Sequence, residues 1–154
     1  RAAKMNIYVS SQPMFFSHLG DGFLEAFGPE RGHRLYPYRS LIQHGIHLAG
    51  ASDCPVAPAL PLLGIRDAIV RKTGSGADFG PEEKLGIDDA LALYTSEAAH
   101  FSFDEERMGT LEAGKYADLV VLDHDITRIP SEQIPDTQVL MTVTGGEVVY
   151  SAKT

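Results

Sequence analysis

The sequence predicts an α/β fold that gives way to a small antiparallel sheet near its C-terminus. Three observations predict it. Two short, β-prone apolar runs, 5–11 and 46–52, each stop at a loop, and helix-forming patterns follow. Two segments, 62–72 and 87–99, repeat apolar residues at the helical period. After about Met108 the chain turns to short strands and tight turns. Strands alternating with helices favour parallel βα units, and consecutive short strands favour an antiparallel sheet.

Each element follows from its residues. Met5 to Ser11 is a buried strand stopped by Gln12-Pro13. Residues 14–33, rich in glycine and phenylalanine, read as a long functional loop. Tyr36 to His44 is a helix with Pro37 near its first turn and Gly45 at its end. The strand 46–52 comes next, then the proline-rich loop from Cys54 to Pro61. Leu62, Ile65, Ala68 and Ile69 mark one face of a helix over 62–72, and 73–80 is a glycine-rich turn. Pro81-Glu82-Glu83 resembles a helix start. Ile87, Ala90, Leu91, Tyr94 and Ala98 predict one helix over 87–99. Asp118 to Asp123 is a strand bounded by acids, and 139–144 and 147–150 form a hairpin across Gly145-Gly146.

Composition narrows the function. A chain of 154 residues with 44% hydrophobic and 22% charged residues can bury a core. Its net charge of −8, with no basic patch, excludes a nucleic-acid surface. No apolar run reaches the ~18 residues of a membrane span. A single cysteine excludes an internal disulfide and any multi-cysteine metal site, which fits a reducing, cytoplasmic setting. Arg1-Ala2-Ala3-Lys4 reads like the end of a helix, so the chain is expected to begin inside something larger.

Asp53 is the leading candidate for chemistry. It closes the run from Gly45 and stands directly before Cys54-Pro55, which puts an acid at the mouth of a sheet. In parallel α/β folds that edge carries the active site. A carboxylate there can cap a helix, bind a metal, accept a proton from metal-bound water or hold a substrate amine, and its residues alone leave these open. Gly109 to Lys115 matches the first seven positions of a phosphate loop, but Tyr116 replaces the required Ser or Thr and no strand precedes it, so it reads as a turn. His44 and His47 straddle Gly45 and should not share a face. Ser102 and Glu105 stand at capping-box spacing, and the acidic pairs Glu82-Glu83, Asp88-Asp89 and Glu105-Glu106 look like helix starts. Cys54 reads as a passive small residue and Arg39 as a surface residue.

Three blocks carry a resemblance: Tyr36-Pro37-Tyr38-Arg39-Ser40-Leu41, Gly50-Ala51-Ser52-Asp53-Cys54-Pro55-Val56 and Pro61-Leu62-Leu63-Gly64-Ile65. Thr95 to Ala99, Gly109 to Asp123 and Gly145 to Tyr150 extend it. Together they resemble the C-terminal part of the amidohydrolase superfamily, in the branch that includes N-substituted formamide deformylase. The resemblance implies the last βα units of a TIM (β/α)8 barrel in residues 1–108, with β-runs 5–11 and 46–52 as its seventh and eighth strands. Residues 109–154 would be the C-terminal share of a small β-sandwich, and the 14–33 loop would border the substrate pocket.

It further implies a metal-dependent hydrolase, zinc being the expected divalent ion, that opens an amide, formamide or related C–N bond of a small molecule. Asp53 would contact the metal and take a proton from the attacking water. The family's His-x-His, its lysine or acid ligand and its later histidines are absent from these 154 residues. A whole barrel takes about 250 residues. The chain alone is therefore expected to be inactive, to hold no tight metal and to self-associate through open strand edges. A non-catalytic binding or regulatory module that keeps the fold is the alternative, and a His-x-His upstream would discriminate the two.

Overall fold

The computed structural model describes residues 1–152. The order is β1 (Val9–Ser11), α1 (Phe15–Gly32), α2 (Tyr38–Gln43), β2 (Leu48–Gly50), α3 (Pro61–Val70), α4 (Ile87–Ala92), α5 (Ser96–Ser102), β3 (Leu119–Leu122), β4 (Val139–Thr144) and β5 (Glu147–Ser151). Short 3-10 turns lie at Ala3–Met5, Pro81–Glu83 and Ser131–Asp136. This is the expected mixed α/β order. β1 and β2 pair in parallel, Val9 opposite Leu48 and Ser11 opposite Gly50. β3, β4 and β5 form an antiparallel sheet in that order.

The hairpin forms where its sequence placed it. Thr144 faces Glu147 across two residues, and Gly145 and Gly146 have φ of 58° and 85°. Two successive positive φ angles are what a tight hairpin turn of the right twist demands, and glycine supplies them without steric cost.

Three expectations are corrected. Residues 14–33 are a helix, not a loop. Phe16, Gly20 and Phe23 fall on one face, and a Cβ on Gly20 would stand 2.8 Å from Thr73 Cγ2. The glycine is there for close packing rather than flexibility. The helix breaks only at Gly28, whose φ of 73° precedes Pro29. The single helix expected over 87–99 is two, α4 and α5, broken at Thr95. Leu93 gives its carbonyl to the Gly50 N–H at 2.9 Å instead of continuing the helical ladder. Ser102 ends α5 rather than starting a helix, its hydroxyl donating to the Ala99 carbonyl at 3.0 Å.

One core joins the elements. Phe16, Tyr38, Leu48, Ile65, Phe79 and Leu93 are buried in it, and Ile126 and Ile134 enter from beyond residue 109. At its centre lies a charge. Arg71 is fully buried, its guanidinium 4.4 Å from the centre of the Phe16 ring and 5.5 Å from that of Tyr38. It donates to the carbonyls of Phe79, Tyr36 and Leu35 at 2.9, 3.0 and 3.2 Å. Ring faces and carbonyl dipoles, rather than a carboxylate, hold this cation.

Candidate functional site

β1 and β2 run parallel and end together. The Ala51 N–H donates to the Ser11 carbonyl at 2.7 Å, one residue past the last paired position. Beyond it the chain turns sharply. Asp53 adopts φ 56°, a left-handed conformation that aspartate tolerates better than most residues. Its carbonyl accepts from the Val56 N–H at 2.8 Å, and the Ser52 hydroxyl accepts from the Cys54 N–H at 3.2 Å. The Asp53 side chain is exposed, at the C-terminal edge of the strand pair.

The surroundings hold this edge from both sides. After Asp53 the loop drops Ala57 into a small buried group with Met14 and Phe15, at the start of α1. The first turn of α1 therefore adjoins the Asp53 loop, in the region assigned from sequence to a pocket-bordering loop. Beneath β1, the buried Tyr38 hydroxyl donates to Ser11 Oγ at 2.9 Å. Burial pushes the Tyr38 phenol far up, so it stays a neutral donor. Tyr38 belongs to the block that carries the family resemblance, but nothing local in the sequence marks its partner 27 residues away.

A buried carboxylate elsewhere was not foreseen. Asp67, on α3, is fully buried and accepts from the Ser17 hydroxyl of α1 at 2.6 Å. Burial raises its pKa to about 6 against the pull of the Ser17 hydrogen bond and Arg66. Arg66 Nε lies 3.0 Å from Asp67 Oδ1 but is not aligned to hydrogen-bond it.

The other candidates scatter. His44 caps the end of α2, Nδ1 to the Ser40 carbonyl at 2.7 Å, while His47 lies at the opposite end of β2 from Asp53. There His47 Nδ1 sits 2.8 Å from Glu97 Oε2 and its ring stacks on His100 at 4.5 Å. Rings stacked face over face, here inclined by 29°, do not aim their nitrogens at a common point, so the pair makes no metal chelate. Glu83 accepts from the Ser40 N–H at 2.8 Å and so serves α2 rather than a helix of its own. Lys115 Nζ donates to Thr110 Oγ1 at 2.8 Å, and the segment is a turn. Arg39 and Cys54 are exposed. Among the described residues no three His, Cys, Asp or Glu side chains come together as a metal cluster. Asp53 offers a carboxylate donor to a cation, but one donor does not fit a complete zinc site. Among the same residues no helix is long and apolar enough to cross a membrane.

Comparison with known proteins sets this edge in context. The model of the amidohydrolase family, Amidohydro_3, matches residues 1–150. YtcJ of Bacillus subtilis strain 168, whose own name gives it only provisionally as an amidohydrolase, is 33% identical over 97% of this chain and 29% of its own length. The N-substituted formamide deformylase of Arthrobacter pascens is 33% identical over 97% of this chain and 28% of its own. A crystal structure of an uncharacterized metal-dependent hydrolase from Pyrococcus horikoshii superposes with a TM-score of 0.71 at 27% identity, covering 84% of this chain and 27% of that one. The chain spans less than a third of the length of the curated relatives it matches.

Proposed function

The chain belongs to the amidohydrolase family, and from that premise we propose that it is the C-terminal part of a metal-dependent hydrolase that cleaves an amide, formamide or related C–N bond. One observation carries the reading. Asp53 stands at the C-terminal end of a parallel strand pair, where barrel enzymes keep their catalytic groups, inside a family match that covers almost every residue. The likeness to a formamide deformylase favours a small N-substituted amide as substrate.

In this reading β1 and β2 are the seventh and eighth strands of a barrel, residues 1–108 complete that barrel, and 109–154 belong to a β-sandwich. A divalent cation, zinc by the family resemblance, supplies the activated water when bound, and its remaining ligands come from other parts of the protein. At that strand end Asp53 would serve as the general base, holding the proton released by the attacking water and passing it to the leaving nitrogen. The left-handed turn at Asp53 and the Ala57 anchor hold the carboxylate over the strand edge. Tyr38 and Ser11 support the floor beneath it.

The isolated chain then lacks turnover and a tight metal, and it self-associates. Val148, Val149 and Tyr150 on β5 are 58%, 62% and 50% exposed, on a strand whose outer edge is unpaired among the described residues. The test is metal analysis and an amidase assay, with an N-substituted formamide as probe, on this chain and on the longer protein that contains it. The longer protein should turn over and its Asp53→Asn variant should lose at least about 100-fold, the scale of a general base. Stoichiometric zinc with turnover in the 154-residue chain, or full activity in the Asp53→Asn variant, overturns the reading.

A further inference from the structure

Ser11 and Gln12 close the first strand on opposite faces. The Ser11 hydroxyl turns to the helix layer, where the buried Tyr38 donates to it at 2.9 Å. Val9 and Leu48 pack into the same core. A proline keeps the residue before it extended, so Pro13 carries the two-residue period of β1 on through Gln12. Gln12 therefore shares the face of Ser10, which looks away from the helices. On the neighbouring strand Ala49 stands opposite Ser10, and the Ala51 N–H donates to the Ser11 carbonyl, which brings Ala51 beside Gln12. Two alanines leave this face open above β2. Paired strands lie about 4.8 Å apart, and Asp53 follows Ala51 by two residues, so Gln12 and Asp53 share one corner of the strand edge.

The main chain of Gln12 is held while its side chain is uncommitted. Its carbonyl accepts from the Phe15 N–H at 3.1 Å, and Pro13 and Met14 after it are buried. The carboxamide itself is half-buried and makes no hydrogen bond among the described residues. Other acceptors at this corner are already occupied. The Ser11, Gln12 and Asp53 carbonyls hold the Ala51, Phe15 and Val56 N–H groups, and Ser52 Oγ holds that of Cys54. The Asp53 carboxylate, as the base of the reaction proposed above, has to stay open to a proton. Gln12 Oε1 is left as the neutral acceptor.

We propose that Gln12 is a specificity residue whose side-chain oxygen accepts the substrate's amide N–H, so that the site selects N-monosubstituted over N,N-disubstituted amides. This rests on the amidohydrolase reading of Asp53 and names the substrate class of that same site. A fixed backbone aims the acceptor before the substrate arrives. A disubstituted amide has no N–H to offer, and it leaves Oε1 desolvated and unpaired.

Kinetics of the longer protein with N-butylformamide and N-butyl-N-methylformamide test the assignment. The readout is the ratio of the two kcat/KM values, which a general loss of structure does not move. The wild type should favour the first probe. Gln12→Met keeps the length of the side chain without its oxygen, and should cut the ratio about tenfold, mainly through KM. Gln12→Glu keeps an acceptor and should retain the preference. If Gln12→Met loses both activities, Gln12→Asn decides by the same ratio, since its carboxamide is one methylene too short. Equal kcat/KM values in the wild type, or an unchanged ratio in the deciding variant, overturn the role of Gln12 even where Asp53→Asn abolishes turnover of both probes. Turnover that survives Asp53→Asn overturns the reading of Asp53 instead, with the Gln12→Met ratio still deciding Gln12. A longer protein that turns over neither probe overturns both.

Discussion

The Ser17 hydroxyl of α1 donates to Asp67 Oδ2 of α3 at 2.6 Å, across 50 residues of sequence and inside the protein. That one bond does not compensate a carboxylate for losing its water, and burial raises the Asp67 pKa from 3.8 to about 6.

The sign of the resulting pH dependence is opposite to that of a paired surface acid. The folded state prefers protonated Asp67, so the contribution of this one group to stability is greatest below about pH 4 and falls as pH rises toward about 6. The rise in pKa corresponds to about 3 kcal/mol. Asp67→Asn removes this dependence. Urea denaturation should show the variant gaining on the wild type between pH 4 and pH 7. A constant difference across that range would refute the assignment.

Arg71 is expected to resist conservative replacement. Burial draws its guanidinium down to about 10, still charged at neutral pH. A lysine cannot fork to the three carbonyls of Leu35, Tyr36 and Phe79 while lying over Phe16. Arg71→Lys should cost about 2–3 kcal/mol, the worth of hydrogen bonds to a charged group, measured by thermal or urea denaturation. A loss within error would show that the cage tolerates any cation.

At the hairpin, Gly146 holds φ 85° and the Gly145 N–H donates to Asp118 Oδ1 at 2.6 Å. Gly146→Ala should destabilise the chain by about 1–2 kcal/mol, the cost of a left-handed residue with a Cβ. Asp118→Ala should weaken the turn without changing the Thr144–Glu147 register. Amide NOEs across β4 and β5 report both.

The phosphate-loop likeness at Gly109 to Lys115 should have no functional counterpart. Lys115 already donates to Thr110, and Gly109 combines a φ of 93° with a Cβ position 2.7 Å from Ala99 Cβ, so the glycine serves the turn and its packing. Magnesium ATP should leave the melting temperature unchanged. A concentration-dependent rise would overturn this.

Legibility followed the range of the interaction that decides each element. The hairpin, β2 and the position of Asp53 at a strand end were readable, because turn chemistry, alternation and a proline break act within a few residues. The same local rules misread α1 as a loop, because its Gly20 answers to Thr73, more than 50 residues away. They ran 87–99 together as one helix, because the break at Thr95 follows from the Leu93 carbonyl turning to Gly50. The Ser17–Asp67 and His47–Glu97 pairs were out of reach for the same reason, each spanning 50 residues.

The sequence by itself determined the α/β order, the antiparallel tail, the family and the acid that ends the second strand. Only the tertiary structure decided what the glycines are for, which carboxylate is buried and what covers the edge of β2. Backbone preferences are set by neighbours along the chain, whereas steric room and desolvation are set by whatever the fold brings alongside.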